Sequence, residues 1–266
     1  MKENMINIRT KTVRKANALV QKSRFNLSVT EQKIILYIIS KISPFDSDFK
    51  LYEFSIYEFM KVCGIEKGGN TLAEIKQILQ EISKKQMWIT LESGEMTLAR
   101  WIEKPYISPP KEDEKGGIIR IKLDADMKPF LLELKANYFS YELLWILHMH
   151  SKYSIRLYEL IKSYHYNELK EYNHYFDLED LKKMLGAEHY KTWQKFKEKA
   201  FERAIAEINR YSDKVLRYEI KKSGKKVVGI TLFISTKNIS ERANLYYEIS
   251  EDLGYNQMML EGFDNE

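Results

Sequence analysis

Two stretches of the chain, FSIYEFMKVCGI at residues 54–65 and FDLEDLKKMLGA at residues 176–187, share one pattern about 120 residues apart. Each has a Phe, then a Ser or Asp suited to cap a helix, a short amphipathic segment, and a Gly at which a helix can end. A Leu-Tyr pair precedes each stretch, and Thr-Leu or Thr-Trp follows it. The sequence therefore predicts an internal duplication of a helix, a short helix, a longer helix and strands.

This order of elements is typical of a winged helix, which commonly binds DNA. We therefore expect an α+β fold class, with two tandem winged-helix domains related by internal duplication. The expected organisation is a flexible N-terminus over 1–12, a first winged-helix domain over 13–140, a second over 141–239, and an acidic C-terminal tail over 240–266. Two domains of this length have the size that single cores usually support.

The composition limits the class of protein. The single Cys excludes an intrachain disulfide and favours a reducing compartment. The longest strongly apolar run, Ile34 to Ile39, is too short to span a membrane, so a cytoplasmic protein without a membrane partner is expected. A net charge of +5 favours a polyanionic partner only if the charge is clustered.

The charge is clustered in the second copy. Residues 191–226 contain twelve Lys or Arg against five Asp or Glu, whereas residues 241–266 contain one Arg against seven acids. The excess positive charge therefore belongs to the segment that follows the second short helix.

That segment begins with a predicted helix that Thr192 caps and that ends near residue 211. On a helical wheel, Lys195, Lys199 and Arg203 recur every four residues and form one stripe, with Thr192 beside it as a further candidate groove contact and Gln194 on its flank. Lys and Arg on such a helix can bond guanine edges or phosphates in a major groove, and Gln can pair with adenine. Most basic stripes on helices are only solvated, so this pattern does not establish DNA contact by itself.

A hairpin rimmed by lysines strengthens the DNA interpretation. Strands are predicted over 215–221 and 226–235, and the turn between them has the position of a wing. The residues expected to hold phosphates there are Lys221, Lys222, Lys225 and Lys226. A basic helix and a basic wing within one repeated unit together predict that the second domain is the main DNA-binding domain.

The first copy is expected to have a different role. Its wing is predicted as the hairpin over 88–102, whose turn, Glu92 to Glu95, is acidic and would be repelled by phosphates. We therefore expect the first domain to serve dimerisation, with auxiliary backbone contacts to DNA from Lys11, Arg14 and Lys15.

Enzymatic signatures are weak. No Walker A ending, zinc-ligand spacing or Gly-x-Ser-x-Gly elbow occurs, so no catalytic residue, metal site or cofactor is predicted. The triplet His148-Met149-His150, with tyrosines nearby, is the pattern of metal-dependent nucleases that nick an origin. Such a triplet belongs on a strand, but residues 141–150 are predicted to be helical, so this alternative is the less favoured one.

Three segments resemble a known family, the plasmid replication initiators that bind repeated origin sequences called iterons. LSVTEQKIIL at residues 27–36 is similar to their opening helix, and SKYSIRLYEL at 151–160 to the start of their second domain. FKEKAFERAIAEIN at 196–209 resembles their recognition helix.

The resemblance implies a non-enzymatic initiator of plasmid replication that binds double-stranded origin DNA at direct repeats through its second domain. It also implies a homodimer formed mainly through the first domain, which represses the chain's own gene at an operator. The implied protein partners are the host initiator and the replicative helicase or its loader. A dimeric transcriptional repressor without a role in replication is the main alternative, and the origin-nicking Tyr nuclease is the other.

Overall fold

The computed structural model describes residues 11–64, 71–90, 93–108, 117–134, 137–164 and 171–252. The chain divides into two compact units. The first unit is Val13–Ser140, and the second begins at Tyr141 and also takes in the residues before Val13.

The elements up to the start of the second unit are, in chain order, β1 (Thr12–Ala16), α1 (Asn17–Gln21), α2 (Val29–Ile39), β2 (Leu51–Ser55), α3 (Ile56–Cys63), α4 (Thr71–Lys84), β3 (Gln86–Thr90), β4 (Met96–Arg100), β5 (Ile102–Ser108), β6 (Ile118–Leu123), a 3-10 turn (Ala125–Met127), α5 (Lys128–Leu131) and β7 (Tyr138–Glu142). Helix α2 begins at a capping box formed by Ser28 and Glu31. Ser28 Oγ accepts from the N–H of Glu31 at 3.3 Å, and Glu31 Oε2 accepts from the N–H of Ser28 at 2.6 Å.

The elements that follow are α6 (Leu144–Leu147), α7 (Lys152–Ser163), β8 (Glu171–Asp177), α8 (Leu178–Leu185), α9 (Trp193–Phe196, a π-helical turn Lys197–Phe201, then Glu202–Tyr211), β9 (Lys214–Ser223), β10 (Lys226–Thr236) and α10 (Ile239–Asp252). Residues 141–150, predicted to be helical, instead contain the end of a strand and the short helix α6.

The duplicated stretches fold alike. Ser55 caps α3 and Asp177 caps α8, each through a side-chain oxygen that accepts from backbone N–H groups of the first turn. Gly64 and Gly186 end these helices in the left-handed region, with φ of 67° and 66°, where a residue with a Cβ is strained. The local pattern that suggested the repeat is therefore confirmed at both ends of the short helix.

The sheets correct the prediction for the first wing. In the second unit the strand order is β8-β10-β9, so the hairpin β9–β10 pairs with the strand that precedes α8. In the first unit the equivalent order is β2-β6-β5, whereas β3 and β4 form a separate two-stranded ribbon. The place of the wing therefore belongs to β5–β6, and the hairpin predicted as the first wing is an additional element before it.

The acidic turn between β3 and β4 is therefore not the tip of the first wing. The connection between β5 and β6 includes residues 109–116, which lie outside the described residues, as does Glu92 of the acidic turn. The charge of the β3–β4 turn consequently gives no reason to exclude the first unit from contact with DNA.

The region expected to be a C-terminal tail, 240–266, begins with a helix. Residues up to Asp252 form α10, which buries Leu245 and Ile249 within the second unit. These apolar residues are four positions apart and so lie on one face of the helix. Residues 253–266 lie outside the described ranges. Within those ranges, every helix is too short or too polar to cross a bilayer.

Candidate nucleic-acid interface

Helix α9 presents a buried face and an exposed face, as its sequence predicts. Thr192 Oγ1 accepts from the N–H of Lys195 at 3.3 Å and caps the helix. The buried face consists of Phe196, Ala200, Phe201, Ala204 and Ile208. The π turn contains one more residue per turn than an α-helix, which lets both Ala200 and Phe201 reach the core. The Phe201 ring lies 5.0 Å from that of Tyr218, and this contact packs α9 against β9.

The exposed face carries the predicted groove-reading residues, namely Gln194, Lys195, Lys199 and Arg203, with Thr192 at its start. Two exposed acids that the helical wheel did not weigh interrupt this face. Glu198 pairs with Lys199 at 2.7 Å, and Glu202 pairs with Lys197 at 3.2 Å. The hydrogen bond that Lys199 donates to Glu198 raises the pKa of Lys199. The acids therefore partly neutralise the cations of this face. A DNA phosphate that binds Lys197 or Lys199 would have to displace the acid from its ion pair.

The last turns of α9 are held by two side chains to which sequence reasoning gave no role. Glu207 accepts hydrogen bonds from the N–H groups of His150 and Ser151, just before α7, and forms an ion pair with Arg203. Burial alone raises the pKa of Glu207, but the hydrogen bonds it accepts lower that pKa below its ordinary value.

Asn209 links the same part of α9 to the hairpin. Its Oδ1 accepts from the N–H of Leu216 at 2.6 Å, and its Nδ2 donates to the carbonyl of Leu216 at 3.0 Å. This pair of bonds fixes α9 against β9, in the unit that holds both predicted DNA contacts. The sequence signal was the segment Glu207-Ile208-Asn209, whose polar residues flank a buried apolar one.

The hairpin β9–β10 exposes all four predicted phosphate-binding lysines. Lys221 and Lys222 lie on the strand β9, which is longer than predicted, and the turn is made by Gly224, at φ 60°, and Lys225. Within the described part of the chain, no acid forms an ion pair with Lys221, Lys222, Lys225 or Lys226. Ion pairs with acids therefore offset less of the positive charge on the wing than on helix α9.

The base of the wing depends on Gly229. Lys221 pairs across the ladder with Gly229, and its Nζ lies 5.3 Å from the ring centre of Tyr175 on β8. A Cβ at Gly229 would lie 2.2 Å from the Tyr175 hydroxyl oxygen and 2.4 Å from a ring carbon. The absence of a side chain at this position lets the tyrosine ring cross β10 and meet Lys221.

The predicted contact between Lys15 and the DNA backbone is not supported. Lys15, expected to touch the DNA backbone, is buried, and its Nζ lies 5.7 Å from the ring of Trp101. A buried ammonium cannot meet a phosphate there.

His148 stacks on Tyr211, and the described residues contain no group of three or more His, Cys, Asp or Glu that could hold a metal ion. The nicking-nuclease alternative therefore gains no ligand set from this part of the chain.

Comparison with known proteins identifies two matching family models. The model described as "Initiator Replication protein, WH1" matches residues 12–162, and that described as "Initiator Rep protein, WH2" matches residues 177–234. The comparison with curated proteins gave no match.

Solved structures match the fold. The crystal structure of Pi initiator protein in complex with iteron DNA aligns with a TM-score of 0.67 and 17% identity, over 86% of this chain and 99% of that chain. Two structures of domains 2 and 3 of RctB align with TM-scores of 0.47 and 0.45, at 14% and 13% identity, each over 80% of this chain and 85% of that chain. The expected fold of two tandem winged helices is confirmed.

We expect Gly229→Ala to loosen the wing, because the added Cβ collides with Tyr175. Overpacking of this kind costs about 1–3 kcal/mol, measured as the free energy of opening from hydrogen exchange of β9 and β10 amides. In a Tyr175→Ala background the same change should cost less than about 0.5 kcal/mol, since the clash is gone. If Gly229→Ala lowers the free energy of opening equally in both backgrounds, the Tyr175 ring is not the reason that glycine is required at position 229.

Proposed function

The chain belongs to the initiator replication protein family, and on that basis we propose that it initiates plasmid replication by binding direct repeats in double-stranded origin DNA. The observation that carries the proposal is the second unit, in which a helix with exposed cations is bonded directly to a hairpin rimmed by lysines. The fold match to an initiator that binds iteron DNA is consistent with this role.

We assign the exposed face of α9 to the major groove. Lys195, Lys199 and Arg203 present donors to guanine edges or phosphates, and Gln194 presents an amide suited to adenine. The helix begins at Thr192, whose hydroxyl caps the first turn, so a phosphate could also approach the free N–H groups there. Lys199 is paired with Glu198 in the free protein. Its contribution to binding is therefore the free energy of its contact with DNA minus that of the ion pair it gives up.

We assign the wing lysines to the phosphate backbone. Each neutralised phosphate releases counterions, so such contacts add affinity without sequence information. The bonds between Asn209 and Leu216 hold the hairpin beside α9, so that both can engage one stretch of duplex.

The double variant Lys195→Ala/Lys199→Ala should lose at least about tenfold in affinity for origin repeats, because groove contacts are worth about 1–3 kcal/mol each. Fluorescence anisotropy with duplex DNA flanking the chain's own gene, in excess unrelated competitor, measures this. The matched control is Lys50→Ala/Lys84→Ala, which removes two exposed, ion-paired lysines from the first unit. Normal affinity of the α9 variant would refute the assignment of α9 as the recognition helix.

Changing Lys221, Lys222, Lys225 and Lys226 to Gln should weaken binding to all sequences alike. The slope of log affinity against log salt should fall by about 3–4, because each phosphate contact contributes about 0.9. The measurement is a set of anisotropy titrations at several salt concentrations, on repeat-bearing and on unrelated duplexes. A loss confined to one base position would show instead that the wing reads sequence.

We assign dimerisation to the first unit, through the outer face of the β3–β4 ribbon. The pair Trp88–Leu98 and the neighbouring Met96 are exposed by 57%, 42% and 61%, while Met87 and Ile89 point into the core. Clustered apolar side chains in water commonly mark a protein contact. A second copy of the chain is the partner we propose there, and the dimer would repress the chain's own gene at an operator.

Trp88→Glu should make the protein monomeric, because a buried, unpaired carboxylate opposes association. Sedimentation equilibrium over a range of concentrations measures the dimer dissociation constant. Tyr106→Glu is the control, since Tyr106 is a similarly exposed aromatic on β5 of the same unit. A wild-type protein that is monomeric throughout, or equal effects of the two variants, would refute this interface.

An initiator has to deliver a helicase to the opened origin, so the host initiator and the replicative helicase or its loader are the further partners we propose. Helicase loading on a repeat-bearing template in host extract should require this chain.

A dimeric transcriptional repressor is the second candidate function, favoured by the exposed face of the β3–β4 ribbon. Binding that increases with the number of direct repeats supports the initiator, whereas binding to a single inverted repeat alone supports the repressor.

A further inference from the structure

The carboxylate of Glu207 is fixed on both oxygens. Oε2 accepts from the backbone N–H groups of His150 and Ser151, each at 3.0 Å, and Oε1 accepts from Nε of Arg203 at 2.9 Å. The Glu207 side chain is 12% exposed, whereas that of Arg203 is 56% exposed. A largely buried acid anchored to backbone therefore holds an arginine that projects into solvent.

This geometry leaves one edge of Arg203 available. A guanidinium has five N–H donors in a planar fork, and the bond to Glu207 uses only the one on Nε. Within the described residues, no hydrogen bond or ion pair engages the two terminal nitrogens of Arg203. Those nitrogens form the edge that bonds O6 and N7 of guanine at the same time.

The anchored acceptor distinguishes Arg203 from the other cations of α9. Lys199 pairs with Glu198, which is itself exposed, and Lys197 pairs with Glu202, which is exposed too. Exposed pairs of this kind constrain their side chains weakly. Because Glu207 cannot move with its partner, Arg203 loses less conformational freedom when DNA arrives.

The charge of Glu207 also favours one type of target. A carboxylate 2.9 Å from the guanidinium repels a phosphate that approaches the same group, but it has little effect on an uncharged base edge. Neutralisation by Glu207 also makes Arg203 a poor source of general attraction to DNA. Both effects favour reading of a base over contact with the backbone.

We propose that Glu207 is a positioning residue that presents Arg203 to O6 and N7 of one guanine in the major groove, and so determines sequence specificity. This inference rests on the proposed function, since it requires α9 to lie in the groove. It assigns to Arg203 one base and to Glu207 the orientation of that contact.

The test uses the full chain and duplexes that the wild-type protein selects from a random-sequence pool. Each guanine of the selected duplex is replaced in turn by 7-deazaguanine, which removes N7 and keeps base pairing. Wild-type affinity should fall about tenfold at the guanine that Arg203 reads, in the range expected for a bidentate contact. Arg203→Lys and Glu207→Gln should bind the unmodified duplex about tenfold more weakly and lose sensitivity at that guanine alone.

Controls separate positioning from a general structural effect. Glu248→Gln removes an exposed acid of α10, outside the assigned interface, and should keep the wild-type profile at every guanine. Affinity of Glu207→Gln for unrelated duplex should stay unchanged or rise, because a negative charge is lost. If Glu207→Gln does not fold, as judged by its thermal unfolding, Arg203→Lys decides the question, since that side chain is exposed.

The possible results have distinct meanings. If Glu207→Gln keeps the wild-type sensitivity at every guanine, or loses affinity equally for all sequences, the positioning role is overturned while the proposed function stands. The same holds if Arg203→Lys retains sensitivity at every guanine. If the wild-type protein selects no sequence from the pool, the proposed function fails and the inference fails with it.

Discussion

Helix α9 is held from two sides, and every candidate DNA contact of the second unit depends on that restraint. Glu207 ties the helix to the start of α7, and Asn209 ties it to β9. Buried Ile208, between them, packs into the core. Three consecutive residues therefore fix the helix in angle and in distance from the hairpin. A helix and a hairpin can bind one duplex together only if their spacing is set before binding, because ordering them at that moment would cost affinity.

The π turn serves the same purpose inside the helix. A regular α-helix would rotate Phe201 partly away from the face that buries Phe196. The wider turn keeps both rings in the core, 5.7 Å apart, and brings Phe201 against Tyr218 of the hairpin. Glu198 and Lys199 lie within this turn on the exposed side. The core packing and the outward placement of the cations are thus produced by the same local distortion, which the wheel at a fixed 100° per residue does not represent.

Local features were predictable from sequence, whereas pairings between distant strands were not. The caps at Ser55 and Asp177 and the glycine ends at Gly64 and Gly186 depend on a few neighbouring residues, and the structure confirms them. The choice of β5–β6 as partner for β2 depends on long-range hydrogen bonds that no short pattern encodes. The burial of Lys15 and the anchoring role of Glu207 were missed for the same reason, because both depend on residues far away in the chain. A charge counted on a wheel shows neither its burial nor its partner.

The two units share an order of elements and differ in what they expose, and this difference supports a division of roles. The hairpin of the second unit exposes four lysines, which favour a polyanion and oppose self-association. The additional ribbon of the first unit exposes Trp88, Met96 and Leu98, which favour burial against another apolar surface. The β3–β4 ribbon presents alternate residues of each strand to solvent, whereas the end of the wing, residues 219–226, is exposed on both faces. Within the described residues the β3–β4 ribbon has no counterpart in the second unit, so the apolar surface lies on an element added to the duplicated scaffold, whereas the lysines lie on the wing that belongs to that scaffold. This separation supports the two different roles proposed for these surfaces.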